Sequence, residues 1–168
     1  MTEIEINSVP EIMEEFLGRT IFITELISGV ETKITDSDAL RLVTQYMGVH
    51  YVIEGVKRSG IFQAFQVHNG ERYLDAQDWV NFCELLGITT VPFITINESP
   101  LFNIQAVLSP DRWEALCKEL QPQLAEYHQD PQYIHKGIII RPIVECHSFV
   151  LGGRLSIKVL NPEYKHGK

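Results

Sequence analysis

The sequence is short of three things: basic residues, cysteines and long apolar runs. Among 168 residues, 22 Asp and Glu face 14 Lys and Arg, for a net charge of −8. A protein that grips nucleic acid broadly needs clustered Lys and Arg against the phosphates, so a broad nucleic-acid-binding surface is excluded. No run approaches the roughly 20 apolar residues of a membrane-spanning helix. The start, Met1-Thr2-Glu3-Ile4-Glu5, is acidic where a signal peptide is basic. Cys83, Cys117 and Cys146 are odd in number and form no CxxC pair. Neither a disulfide framework nor a zinc site fits that spacing, and a reduced, cytoplasmic setting is expected.

What is present is the material for a core. At 45% hydrophobic, the chain can form one domain over residues 1–168. Thr20 to Thr24 is a β-branched and aromatic run that reads as a strand. Ser28-Gly29 offers a turn through which Val30 to Ile34 would pair back on it. Asp36-Ser37-Asp38 caps a helix that runs through about Tyr46 and closes at Gly48. His50 to Val56 and Ile61 to His68 form a hairpin through Lys57-Arg58-Ser59-Gly60. Trp79, Phe82, Cys83 and Leu86 make one apolar helix stripe, and Trp113, Leu116, Cys117 and Leu120 make another, opened by Ser109-Pro110 and bounded by Pro122. Those cysteines read as packing residues. Thr90 to Ile96 is a strand whose Pro92 suits an edge or a strand start. From Gly137 onward the chain is strand-rich.

Two C-terminal segments narrow the reading. Lys136-Gly137-Ile138-Ile139-Ile140-Arg141-Pro142 is followed by Gly153-Arg154-Leu155-Ser156-Ile157-Lys158-Val159-Leu160-Asn161. They resemble the last two strand motifs in the catalytic domain of RNA ligases, members of the covalent nucleotidyltransferase superfamily. Upstream, Ile21 to Gly29 resembles the family's Thr-Glu-Lys-Leu-Asp-Gly box, and Ile53 to Ile61 resembles its Gln-Gly-Glu-Leu-x-Gly-x-Gly-Ile segment. Phe62 to Val67 resembles the aromatic strand that stacks on the base. The resemblance covers roughly residues 20–165 and implies an α+β fold, an antiparallel-sheet nucleotidyltransferase domain with helices packed outside. It also implies that the strands Gly137 to Pro142 and Leu155 to Leu160 lie in a sheet beside the first strand. No appended C-terminal domain is expected.

The same alignment implies lost chemistry. The family's attacking lysine falls on Leu26, and leucine cannot form the lysyl-nucleotide intermediate. Lys33, further along the chain, is not expected to substitute. Carboxylate positions fall on Ser28, Gly55, Gln66 and Lys136, so the expectation is no catalytic residue, no metal and no obligatory cofactor. Glu54 lies one residue from the lost position, on the other strand face unless a bulge re-aims it. The position of Lys158, whose family counterpart contacts the nucleotide phosphate, is kept. The ligand-binding candidates are therefore Lys158, Arg154, Arg141, Lys136, Phe65 and Glu25.

Lys158, Arg154 and Lys136 also have a plain reading as surface cations, and Phe65 as a core residue. Three functions follow. One is a catalytically inactive protein that binds a nucleotide such as ATP, a nucleotide-derived signal or an RNA end in a metal-free cationic cleft. Another is a protein-interaction module, an inhibitor or assembly subunit, which the acidic charge favours. The third is an enzyme that uses other acids, Glu25, Glu54 or Glu145. So compact a form would suit a viral genome.

Overall fold

A computed structural model describes residues 2–3, 15–16, 18–96 and 136–160. The second expected helix stripe around Trp113 and the segment from Asn161 onward lie outside them. The chain divides into two compact units, residues 1–26 with 92–168, and residues 27–91. The architecture is α+β with mostly antiparallel sheets, as the resemblance implies.

The first unit is built on a sheet of five strands: β1 (Thr2–Glu3), β2 (Ile21–Leu26), β6 (Phe93–Ile96), β7 (Gly137–Pro142) and β10 (Ile157–Leu160). Their order is β1-β10-β7-β2-β6, antiparallel except for the β1–β10 pair. The two C-terminal strands thus lie beside the first long strand. Every residue of β2 and β7 is buried, which explains why both read as unbroken apolar runs rather than alternating ones. Ile21, Ile23, Ile138, Ile140 and Ile157 form one side of this core. Each such buried side chain is worth about 1.5–3 kcal/mol. Pro92 precedes β6, an edge strand, where its missing N–H costs no ladder bond. A short hairpin, β8 (His147–Ser148) with β9 (Gly153–Arg154), completes the unit.

The second unit is a three-stranded antiparallel sheet, β3 (Val30–Ile34), β4 (Val52–Arg58) and β5 (Ile61–His68), with helices α1 (Asp38–Met47) and α2 (Ala76–Leu85). The Ser37 hydroxyl caps α1 by accepting the Leu40 N–H, and Gly48 ends it in the left-handed conformation. The β4–β5 hairpin turns on Ser59 and Gly60, both at positive φ. Helix α2 buries Trp79 and Cys83, and burial pushes the Cys83 thiol up to about 12.

One expectation is corrected here. Val30–Ile34 does not return along the first strand; it pairs with β4, in register from Val30 opposite Lys57 to Ile34 opposite Ile53. Gly29 packs so closely on β4 that a Cβ there would lie 2.6 Å from the Lys57 carbonyl oxygen. The chain therefore crosses to another sheet at the point where a turn was read. Adjacent strands in sequence are often, but not always, partners in space.

Candidate functional site

Strand register places the sequence candidates of the first unit. Lys158 is opposite Ile139, which is opposite Thr24; Arg141 is opposite Phe22, and Leu26 is opposite Gly137. Side chains of paired residues share a face, and so do those two apart on a strand. Lys158, Thr24, Arg141, Phe22 and Leu26 are thus on one face of the β10-β7-β2 sheet. Leu26 and Lys158, to which the resemblance gives the attacking-lysine and phosphate-contact positions, belong to the same surface. Arg141 is only 2% exposed. Its guanidinium donates to the Thr24 hydroxyl at 3.4 Å, a contact the sequence did not reveal. Lys158 is half-buried and pairs with no described carboxylate. Phe93 stacks on Phe22, with ring centroids 5.1 Å apart.

The remaining candidates of this unit are placed differently. Lys136 is half-buried and directly precedes β7. Glu25 is buried opposite Ile138, on the sheet face away from Lys158. Arg154 sits on the small hairpin and grips Glu145 with two nitrogens, Nε at 3.1 Å from Oε2 and Nη2 on Oε1. That fork is already engaged, and nothing in a nine-residue separation across a turn advertises it.

The second unit holds the acid that the alignment nearly lost. Glu54 is opposite Gln66, and Gly55 opposite Ala64, so Phe65 is an extra, bulged residue on β5. A bulge therefore exists at this place, but on the partner strand, and β4 keeps its alternation. The Glu54 carboxylate accepts from the Gln66 amide and from the Tyr73 hydroxyl at 3.3 Å, and Lys33 Nζ is 3.7 Å away. Position 55 admits no side chain: a Cβ there would lie 2.4 Å from the Gln63 carbonyl oxygen and 2.5 Å from the Phe62 ring. Phe65 packs with Ile27, Val56 and Val91 in an apolar cluster.

These residues do not fit a divalent cation. Such an ion wants several oxygens with lone pairs to spare. Glu54 already has three donors, Gly55 has no room for a carboxylate, and no three His, Cys, Asp or Glu side chains converge among the described residues.

Comparison with known proteins supports the fold. No family model matches the chain, and no curated protein does. Among solved structures, an RNA ligase from Naegleria gruberi with PPi superposes at a TM-score of 0.60 with 12% identity, covering 96% of this chain and 55% of the ligase. A mutant of that ligase with ATP and Mn gives 0.61 and 12%, covering 100% and 57%. An archaeal ATP-dependent RNA ligase gives 0.57 and 10%, covering 98% and 48%. The chain thus spans about half the length of the ligases it matches. It has the fold of the RNA ligase nucleotidyltransferase domain.

Proposed function

We propose that this protein is a catalytically inactive, ligase-like binding protein. Its ligand is a nucleotide, a nucleotide-derived signal or an RNA end, held without metal by the β10-β7-β2 face. The observation that carries this reading is the register that puts Lys158, Arg141 and Thr24 on one sheet face, together with Leu26 at the position the resemblance gives the attacking lysine. Lys158 supplies a half-exposed cation, and the buried Arg141, which donates to Thr24, is on the same sheet face. Anions bound by charge-assisted hydrogen bonds need no ion between them and the protein. Leucine supplies no amine, so no lysyl-nucleotide forms at position 26.

A thermal-shift screen against ATP, GTP, NAD, cyclic nucleotides and short oligonucleotides, with and without Mg²⁺, tests this. A ligand at a hundred times its Kd adds about 2.7 kcal/mol of stability. Stabilisation in EDTA that disappears in Lys158→Ala is expected. Stabilisation only with Mg²⁺ would overturn the metal-free account.

A second reading has its own support. Helix α1 buries only Leu40 and leaves Leu42, Tyr46 and Met47 exposed, Tyr46 at 82%. Exposed apolar residues grouped on one helix suit a protein partner. If no small ligand shifts the melting point, this helix is the surface to mutate, and Tyr46→Lys would abolish partner capture.

A further inference from the structure

The β8–β9 turn holds an anion already, and that anion is part of the chain. Glu15 Oε1 accepts the backbone N–H groups of two successive residues, Phe149 at 2.9 Å and Val150 at 3.2 Å. The Ser148 hydroxyl oxygen accepts the Leu151 N–H at 2.9 Å in the same turn. Consecutive N–H groups converging on one oxygen form a concavity that suits carboxylate and phosphate alike. Burial alone would raise the Glu15 carboxyl, but Ser148, the two N–H groups and His147 outweigh it and hold the group below its ordinary value. Arg19 is exposed and ties back to the Glu15 backbone carbonyl at 2.8 Å, so a cation lies on the same segment.

Next to this concavity is an aromatic with no packing role. Phe149 is 90% exposed, and the exposed His147 ring meets it edge-on at 5.6 Å. An exposed ring beside a phosphate-sized anion site is the pairing that single-stranded nucleic acid recognises, a base stacked on the ring and its phosphate on the N–H groups.

We propose that the β8–β9 turn is a contact for single-stranded nucleic acid, with Phe149 stacking on a base, the Phe149 and Val150 N–H groups holding a phosphate, and Glu15 as the resident competitor that must be displaced. This deepens the RNA-end form of the function above and rests on it for the class of ligand. A backbone phosphodiester carries one negative charge on two non-bridging oxygens, as the carboxylate does, so it can take over the same N–H groups, and the exposed Arg19 on the same segment would favour it. Glu15 would then tune the affinity, because displacing it costs the bonds it makes now.

The test is fluorescence polarisation with a short labelled single-stranded RNA, on the full chain and on Glu15→Gln, Glu15→Ala, Phe149→Ala and Lys158→Ala. Removing one base–aromatic stack costs about 1–3 kcal/mol, so Phe149→Ala should weaken RNA binding about five-fold or more. Both Glu15 variants should tighten it. Glu15→Gln keeps the shape of the contact and guards against a variant that merely loosens the turn, which circular dichroism and melting would reveal. RNA affinity unchanged in Phe149→Ala, or weaker in a folded Glu15→Gln, overturns the proposal, as does absence of RNA binding in every variant. Mononucleotide binding separates the two claims: it should vanish in Lys158→Ala and persist in Phe149→Ala. Mononucleotide binding without Phe149-dependent RNA binding sinks only this inference. Phe149-dependent RNA binding without a Lys158-dependent nucleotide site sinks the reading above instead.

Discussion

The two units treat charge in opposite ways. On the β10-β7-β2 face cations share the surface with Leu26, where the resemblance puts the nucleophile: Lys158 is half-buried and pairs with no described carboxylate, and Arg141 is buried and donates to Thr24. On the β3-β4-β5 sheet an acid remains, but Gln66, Tyr73 and Lys33 surround it. The first arrangement has charge to offer a ligand. The second has spent its charge inside the chain. Metal-dependent chemistry needs acids with lone pairs to spare, and Glu54 has its carboxylate engaged by Gln66, Tyr73 and Lys33.

That contrast can be broken by mutation, and the largest effect should come from the closed side. Gly55→Ala drives a methyl into the Gln63 carbonyl and the Phe62 ring. We expect a loss of about 3 kcal/mol or more, a fall in Tm of about 6–12 °C for a chain of this size. A melt near wild type would show that position 55 can take a side chain, and the closed-site argument would fail. Next is Glu145→Ala, which removes the carboxylate that the partly buried guanidinium of Arg154 grips. It should cost about 1–3 kcal/mol, and Arg154→Met in the same chain should recover part of that. Full additivity in the double-mutant cycle would mean the pair does not couple.

Smaller effects sharpen the comparison. Glu54→Gln removes the charged acceptor of Gln66 and Tyr73 and should cost about 1–2 kcal/mol by denaturant melt. Lys33→Ala should cost under about 0.5 kcal/mol, because Lys33 is 69% exposed and its ion pair is screened. A further effect is one of pH. Glu15 is held below its ordinary value of 4.5, so its contribution is complete above that pH. It is lost as pH falls through the lowered folded value, because the unfolded chain binds the proton first. The acid limb of a stability–pH curve should therefore be shallower in Glu15→Gln, by about 1 kcal/mol or less. An unchanged limb would remove Glu15 from the account of the β8–β9 turn.

Much of this was legible where the signal is local. The Ser37 cap, the Gly48 stop and the Ser59-Gly60 turn are written in the residues that make them, and each falls where it was read. The pairing of β7 and β10 beside β2 followed from motif resemblance. Pairing between distant segments without such a guide was not legible: Ser28-Gly29 looks like a turn, and only the close approach of Gly29 to Lys57 shows why the chain crosses instead. The bulge at Phe65 escaped for a related reason, since a one-residue mismatch between two strands leaves no mark on either alone. At the candidate site, Lys158 could be picked from its motif. The partners of Glu54 and Arg154 lie 12 to 21 and nine residues away, at spacings set by the fold and by no helix or strand period.

The central claim is an anion site that works without metal and depends on Lys158. The most direct measurement is a calorimetric titration of the nucleotide or oligonucleotide picked out by the thermal screen, in EDTA and again in Mg²⁺, on wild type and on Lys158→Ala. Losing one hydrogen bond to a charged group costs about 1.5–3 kcal/mol, roughly a 10- to 150-fold rise in Kd. The account predicts the same Kd in EDTA and in Mg²⁺ for wild type, and that rise in Lys158→Ala under both conditions. Binding that appears only with Mg²⁺, or that is indifferent to Lys158, would contradict it.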